Sequence, residues 1–166
     1  MDRINKLVDV LKLLPHPEGG FYKETYRSDG LIPSSVLGSD FSGDRNYCTA
    51  IYFLLTSDNF SAFHRIKQDE IWHFYEGSPL YVHVIDDKGL YTKHTVGLDI
   101  ENGSLPQLVV PAGAWFASSV KESHSYSLVG CTVSPGFDFK DFDLADRELL
   151  ISEYPQHQKV IQGLTR

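Results

Sequence analysis

Residues 64–77 read HRIKQDEIWHFYEG, from His64 to Gly77. The pattern predicts two short strands joined by a polar turn at Lys67-Gln68-Asp69. Side chains alternate with period two along a strand, so His64 and Ile66 share one face of the first strand. Glu70, Trp72 and Phe74 share one face of the second. A carboxylate in line with two large aromatics is unusual for a plain core strand, because a charge facing an apolar interior is costly without a partner. His64, on the neighbouring strand, is the nearest candidate for that partner. The plain alternative is a surface hairpin with an exposed Glu and a packed His.

The strands continue on both sides of this stretch. Tyr47–Leu55 is a nearly continuous apolar run and reads as a central strand. Phe60–Ile66 and Glu70–Glu76 follow, then a hairpin of Leu80–Asp86 and Leu90–Val96 around a glycine-containing loop. Gln107–Val110, Trp115–Ser119 and Ser125–Val133 complete the series, and Phe21–Arg27 precedes it. Short strands at this spacing argue for a sandwich or barrel. Residues 3–13 carry apolar positions Ile4, Leu7, Val8 and Leu11 at helical spacing, ended by Pro15 and Pro17. Leu144–Tyr154 and Gln156–Leu164 are expected as short helices. Residues 29–46, rich in Gly, Ser, Asp and Pro, are expected as a long surface loop. The expected architecture is all-β, one domain over residues 1–166, with a barrel over about 20–133 and the helices packed outside.

The chain of 166 residues is long enough to bury a core. Its net charge is −7, from 22 acidic and 15 basic residues. That balance argues against a general nucleic-acid binder, which needs a basic face, but leaves room for a single nucleotide in a pocket. Cys48 and Cys131 are far apart and lack metal-ligand spacing, so both are expected as buried free thiols. The opening MDRINKLVDV is too charged for a secretory leader, and no run approaches a membrane span; a cytoplasmic setting is the expectation. No GxSxG elbow, Walker A loop or GxGxxG fingerprint is present.

The spacing of His64, Glu70 and Gly77 resembles the first motif of the cupin superfamily, His-any-His, three or four residues, Glu, six residues, Gly. Pro111-Ala112-Gly113-Ala114-Trp115-Phe116 resembles the second, Pro-any-Gly, two residues, His. Ile66 and Phe116 stand where two of the family's metal-ligating histidines would be. Beyond these motifs, HPEGGFYKETYR, TAIYFLL, LVVPAG and SLVGCTVSPGFDFKDF are similar to one cupin branch known chiefly as a domain of unknown function, over most of residues 14–157. The resemblance implies a jelly-roll β-barrel that dimerises, and its barrel is similar to those of sugar-nucleotide epimerases of the dTDP-4-dehydrorhamnose 3,5-epimerase type.

Four groups of residues are candidates for a site. His64 and Glu70 would form a dyad at the pocket floor, where a carboxylate raises and orients an imidazole; the alternative is a pair that only fixes the hairpin register. Trp72, Phe74, Trp115 and Phe116 would form a stacking wall for a base or sugar, against the alternative of core packing. Arg27 at a rim would suit phosphate or carboxylate, although on a regular strand Arg27 and Glu24 face opposite ways. Glu18, Glu24 and Arg65 read as surface charge. No cofactor is expected, apart from a weak metal at His64 and Glu70, since two ligands hold a metal poorly.

The expected function is binding of a nucleotide, sugar-nucleotide or related polar ligand inside the barrel. An epimerase or isomerase with His64 as general base is the alternative, and a metal-dependent oxygenase is a third reading. Neither a nucleic acid polymer nor a membrane is an expected partner; a second copy of the chain is.

Overall fold

Most of the apolar run of Tyr47–Leu55 becomes a strand, Thr49–Thr56, whose Phe53–Leu55 part is buried on both faces and so does not alternate: Phe53 and Leu55 face the core between two sheets, while Leu54 faces the first helix. The computed structural model describes residues 2–166. Its strands are β1 (Leu14–Pro15), β2 (Phe21–Arg27), β3 (Leu31–Ile32), β4 (Arg45–Asn46), β5 (Thr49–Thr56) and β6 (Phe60–Arg65). There follow β7 (Asp69–Gly77), β8 (Leu80–Ile85), β9 (Tyr91–Val96), β10 (Gln107–Val110), β11 (Trp115–Val120), β12 (Tyr126–Ser134) and β13 (Asp143–Leu144). The helices are α1 (Arg3–Leu11), α2 (Ser34–Leu37), α3 (Arg147–Glu153) and α4 (Gln158–Gly163), with short 3-10 turns between.

One sheet runs in the order β1-β2-β5-β12-β7-β10 and the other in the order β13-β6-β11-β8-β9; β3 and β4 form a separate small hairpin. Pairing within the sheets is antiparallel, and the two sheets face each other as a jelly roll. Phe53, Trp72, Val82, Phe116 and Val129 fill the space between them. Each sheet also has a covered outer face. Leu54 and Leu128 pack under Leu7 of α1. On the other sheet, Phe63, Ile85, Trp115 and Ala117 pack under Leu150, Ile161 and Leu164 of the C-terminal segment. Full burial of one such side chain contributes roughly 1.5–3 kcal/mol, so these satellite clusters suffice to hold short helices that would be marginal alone.

Three expectations need correction. Residues 29–46 are not a bare loop, since β3, α2 and β4 lie within them. α1 stops at Leu11, where Lys12 adopts a left-handed conformation (φ 55°) and the chain turns into β1. The barrel does not end at residue 133. Residues 137–142 cross the barrel mouth, and β13 then adds to β6, pairing Leu144 with His64.

Two local features set the geometry of the mouth. Gly19 has φ +115°, and a Cβ there would run into the carbonyl of Phe60. This close approach lets the Glu18 backbone lie against β6, where Ala62 N–H donates to Glu18 O at 2.8 Å. On β2 the register against β5 shifts between Glu24 and Tyr26, so Thr25 is an extra residue.

Candidate functional site

A cavity of about 490 Å³ opens between the sheets beside β2, β5, β6, β7 and β12. At its floor stands His64, on β6, with only 2 % of its surface exposed. Its ring is held at both nitrogens. Nδ1 lies 2.7 Å from the carbonyl of Ala62, and Nε2 lies 3.0 Å from Oε2 of Glu18. A carbonyl can only accept and a carboxylate prefers to, so both nitrogens carry protons and His64 is an imidazolium. Burial alone would lower its pKa, but the Glu18 carboxylate, helped by Glu70, more than offsets this and raises it.

Glu18, expected as surface charge, is the ion-pair partner of His64. It is 6 % exposed. Its carboxylate also accepts from Ser61 Oγ at 2.8 Å. Burial pushes its pKa up; the His64 charge and these hydrogen bonds bring it below the usual range. His16 borders the same carboxylate, with Nδ1 at 3.6 Å from Oε2 and at 3.3 Å from the Glu18 backbone N–H that it accepts. Burial among aromatic rings lowers its pKa, so His16 is neutral at pH 7.

Glu70 lines the cavity from β7 and is not the direct ion-pair partner of His64. It is 8 % exposed. The buried thiol of Cys131 lies beside its carboxyl, and burial raises its pKa to about 7, against the opposing pull of the His64 charge. The same burial, with Glu70 beside it, pushes the Cys131 thiol well up, so it stays protonated. Cys48, by contrast, is only half-buried.

Glu24 and Arg27 both line the cavity. The extra residue at Thr25 reverses the alternation that would have placed them on opposite faces. Arg27 Nε and Nη2 donate to the two Glu24 oxygens at 3.0 and 2.7 Å. Nη1 also donates to Asn46 Oδ1 at 2.8 Å and Nη2 to Phe137 O at 3.1 Å. The fork that would grip a phosphate is occupied.

The aromatic wall comes from residues other than those expected. Phe137, Phe139 and Phe142 cross the mouth, with Tyr22 and Phe53 behind. Phe142 stacks on His64 at 5.3 Å between centroids and Phe139 on His16 at 6.0 Å. Asp141 anchors this strap: it is buried and takes a bidentate pair from Arg45 at 2.7 and 2.6 Å, plus a bond from Gln68 at 2.7 Å. Trp72 instead lies in the core between Phe53 and Phe116. Phe74 packs against that core. Phe116 presses on the His64 ring at 4.0 Å. Trp115 points to the opposite face, under Leu150 and Ile161. Period two forbids adjacent residues Trp115 and Phe116 from facing one pocket. Two signals for the missed residues were present: a His-x-Glu before two glycines, and the aromatic-charged alternation of 137–142.

The donor set does not fit the metal that cupins commonly hold. His64 has no free nitrogen, and Ile66 and Phe116, 3 % and 1 % exposed, fill two ligand positions with hydrocarbon. Among the described residues, no three His, Cys, Asp or Glu side chains are grouped to hold a metal ion.

A family model described as "Cupin superfamily (DUF985)" matches residues 5–145. Uncharacterized protein YML079W of Saccharomyces cerevisiae is 35 % identical over 147 residues, 83 % of this chain and 73 % of that protein. The crystal structure of protein SO0799 from Shewanella oneidensis superposes with a TM-score of 0.90 at 40 % identity, covering 100 % of this chain and 99 % of that one. A hypothetical protein from Leishmania major gives 0.88 at 38 % identity, with 97 % of each chain covered. Oxalate decarboxylase from Bacillus subtilis gives 0.55 at 14 % identity over 90 % of this chain and 36 % of that one, a likeness of fold alone.

Proposed function

The chain belongs to the cupin superfamily, in its DUF985 branch, and from that premise we propose that its barrel binds one small polar ring-bearing molecule carrying no negative charge at the cavity floor. The cavity volume, about 490 Å³, falls within the range of small-molecule sites. Aromatic faces line its mouth and titratable groups its floor, a pairing that suits a sugar or a base.

The observation that carries this reading is the engagement of Arg27. It is the one Arg or Lys on the cavity wall among the described residues, and Glu24 holds its fork. The carboxylates Glu18, Glu24 and Asp138 outnumber the cations His64 and Arg27 before Glu70 is counted. A phosphate entering this cavity would meet like charge and no free cation. A sugar or nucleoside is therefore favoured over its phosphorylated form, and a nucleotide would have to keep its phosphates outside the mouth.

Thermal-shift titration tests this. Nucleosides and methyl glycosides are expected to raise the melting temperature, since a ligand at a hundred times its Kd stabilises the native state by about 2.7 kcal/mol. Their phosphates should give smaller shifts. Tighter binding of the phosphorylated member of each pair would overturn the reading.

A further inference from the structure

His64 and Glu18 are consumed by each other, and beside them two buried polar side chains on the cavity wall have unused capacity. Among the described residues Glu70 has no salt-bridge partner, and its carboxyl lies beside the Cys131 thiol on the cavity wall. His16 accepts the Glu18 N–H at Nδ1, so its proton lies on Nε2. That atom has no partner among the described protein groups and is not sealed from solvent-sized space. Both side chains are more than nine-tenths buried: His16 shows 7 % of its side chain and Glu70 8 % of its surface. A buried donor and a buried acceptor, both unspent and both facing one cavity, are arranged to be completed by a ligand.

We propose that Glu70 and His16 form a proton-transfer pair acting on an uncharged carbonyl compound, such as a cyclic ketone or an oxidised sugar ring. The proposal rests on the reading of the cavity as a site for an uncharged polar ring. Glu70, as carboxylate, takes the proton from the carbon next to the carbonyl. The C–H electron pair becomes the C=C bond of an enolate, and the carbonyl π pair moves to oxygen. His16 Nε2–H hydrogen-bonds that oxygen as charge develops there. Glu70 then returns a proton to carbon, so no electron acceptor is needed and the atoms balance.

The surroundings suit each role. Glu70 populates both of its protonation states near neutrality, the condition under which a carboxyl can both take and return a proton. The fixed His64 charge nearby stabilises its ionised form. His16 is kept neutral by burial against Tyr22, Phe53, Phe139 and Phe142. A neutral imidazole is a donor that polarises a carbonyl without adding a charge that ground-state binding must solvate. His64 cannot serve as base in this site, because neither ring nitrogen offers a lone pair to the cavity.

The experiment follows exchange of the α-hydrogens of 2-hydroxycyclohexanone and tetrahydropyran-3-one in deuterated buffer by proton NMR, with saturation transfer reporting their binding. The wild-type chain is expected to accelerate exchange in a saturable way. Glu70→Gln should lower that rate by about 10²-fold or more with binding retained. His16→Phe should lower it by roughly 10²-fold, and His16→Gln, which keeps an N–H donor, should recover part of the loss. Circular dichroism of each variant checks its fold. Probes that bind without exchange above the buffer rate, or exchange that ignores both substitutions, would overturn the proton-transfer role and leave the binding reading standing. Probes that do not bind at all would remove both.

Discussion

Glu18 and His64 meet across the barrel floor at 3.0 Å, with the far nitrogen of His64 bound to its own strand through Ala62 O at 2.7 Å. The imidazolium is thus a structural cation that shapes the field around Glu70. At pH 7 both ring nitrogens of His64 are expected to carry protons, which nitrogen-15 NMR of the labelled ring would show directly. The raised His64 pKa gives stabilisation that is complete below the unfolded value of 6.5 and fades as pH rises through the folded value. The lowered Glu18 pKa gives stabilisation that is complete above 4.5 and fades as pH falls through the folded value. The pair therefore contributes most between those two reference values. Glu18→Gln should cost roughly 3 kcal/mol in urea denaturation at pH 6, because the change leaves a buried cation unpaired.

Glu70 is shifted in the opposite direction to Glu18. Its pKa is raised from 4.5 to about 7 in the fold, so the native state holds a proton that the unfolded chain releases. His64, Glu18 and Cys131 are the groups that modulate it. Stability should fall as pH rises from 4.5 to 7, by about 3 kcal/mol for this residue. Glu70→Gln should remove that slope, leaving the variant more stable than wild type at pH 8. Parallel slopes in the two proteins would sink the assignment.

The strap over the mouth is anchored by a buried ion pair. Arg45 and Asp141 have side chains 2 % and 0 % exposed, and their bidentate contact holds Phe139 and Phe142 in place. Asp141→Asn should cost about 3 kcal/mol, since it leaves a buried guanidinium without its counter-charge. Amide hydrogen exchange in residues 137–142 should rise more than in the central strands, and binding of uncharged ring ligands should weaken. A uniform change across the chain would mean that the strap has no separate dependence on the pair.

The chain is expected to dimerise through the edge of β2. β1 covers β2 only at Phe21 and Tyr22, so Lys23–Arg27 form an uncovered sheet edge, with Tyr26 55 % exposed. Such an edge invites pairing with a second copy, and two-fold dimers are the commonest closed assembly. Light scattering at micromolar concentration is expected to report a dimer, and Tyr26→Lys to shift it toward monomer. A wild-type monomer at that concentration would refute the edge as an interface.

Much of the fold was legible because its signals are local. Alternation placed Glu70, Trp72 and Phe74 on one face, glycine and proline marked the turns, and the His64-Glu70-Gly77 spacing led to the cupin family. The site was less legible because its members are chosen by contacts far apart in sequence. Trp115 was the exception, a misassignment that the period-two rule alone would have prevented.

By itself, then, the sequence determined the two-sheet architecture, the replacement of ligand histidines by Ile66 and Phe116, and the candidacy of His64 and Glu70. The tertiary structure decided how these groups are partnered. The close approach at Gly19 carried Glu18 to His64, the extra residue at Thr25 turned Glu24 onto Arg27, and the Arg45–Asp141 pair drew three phenylalanines across the mouth. The physical reason is that periodicity is written into consecutive residues, whereas the partner of a buried charge is set by which distant segments the packed sheets bring within about 3 Å of it.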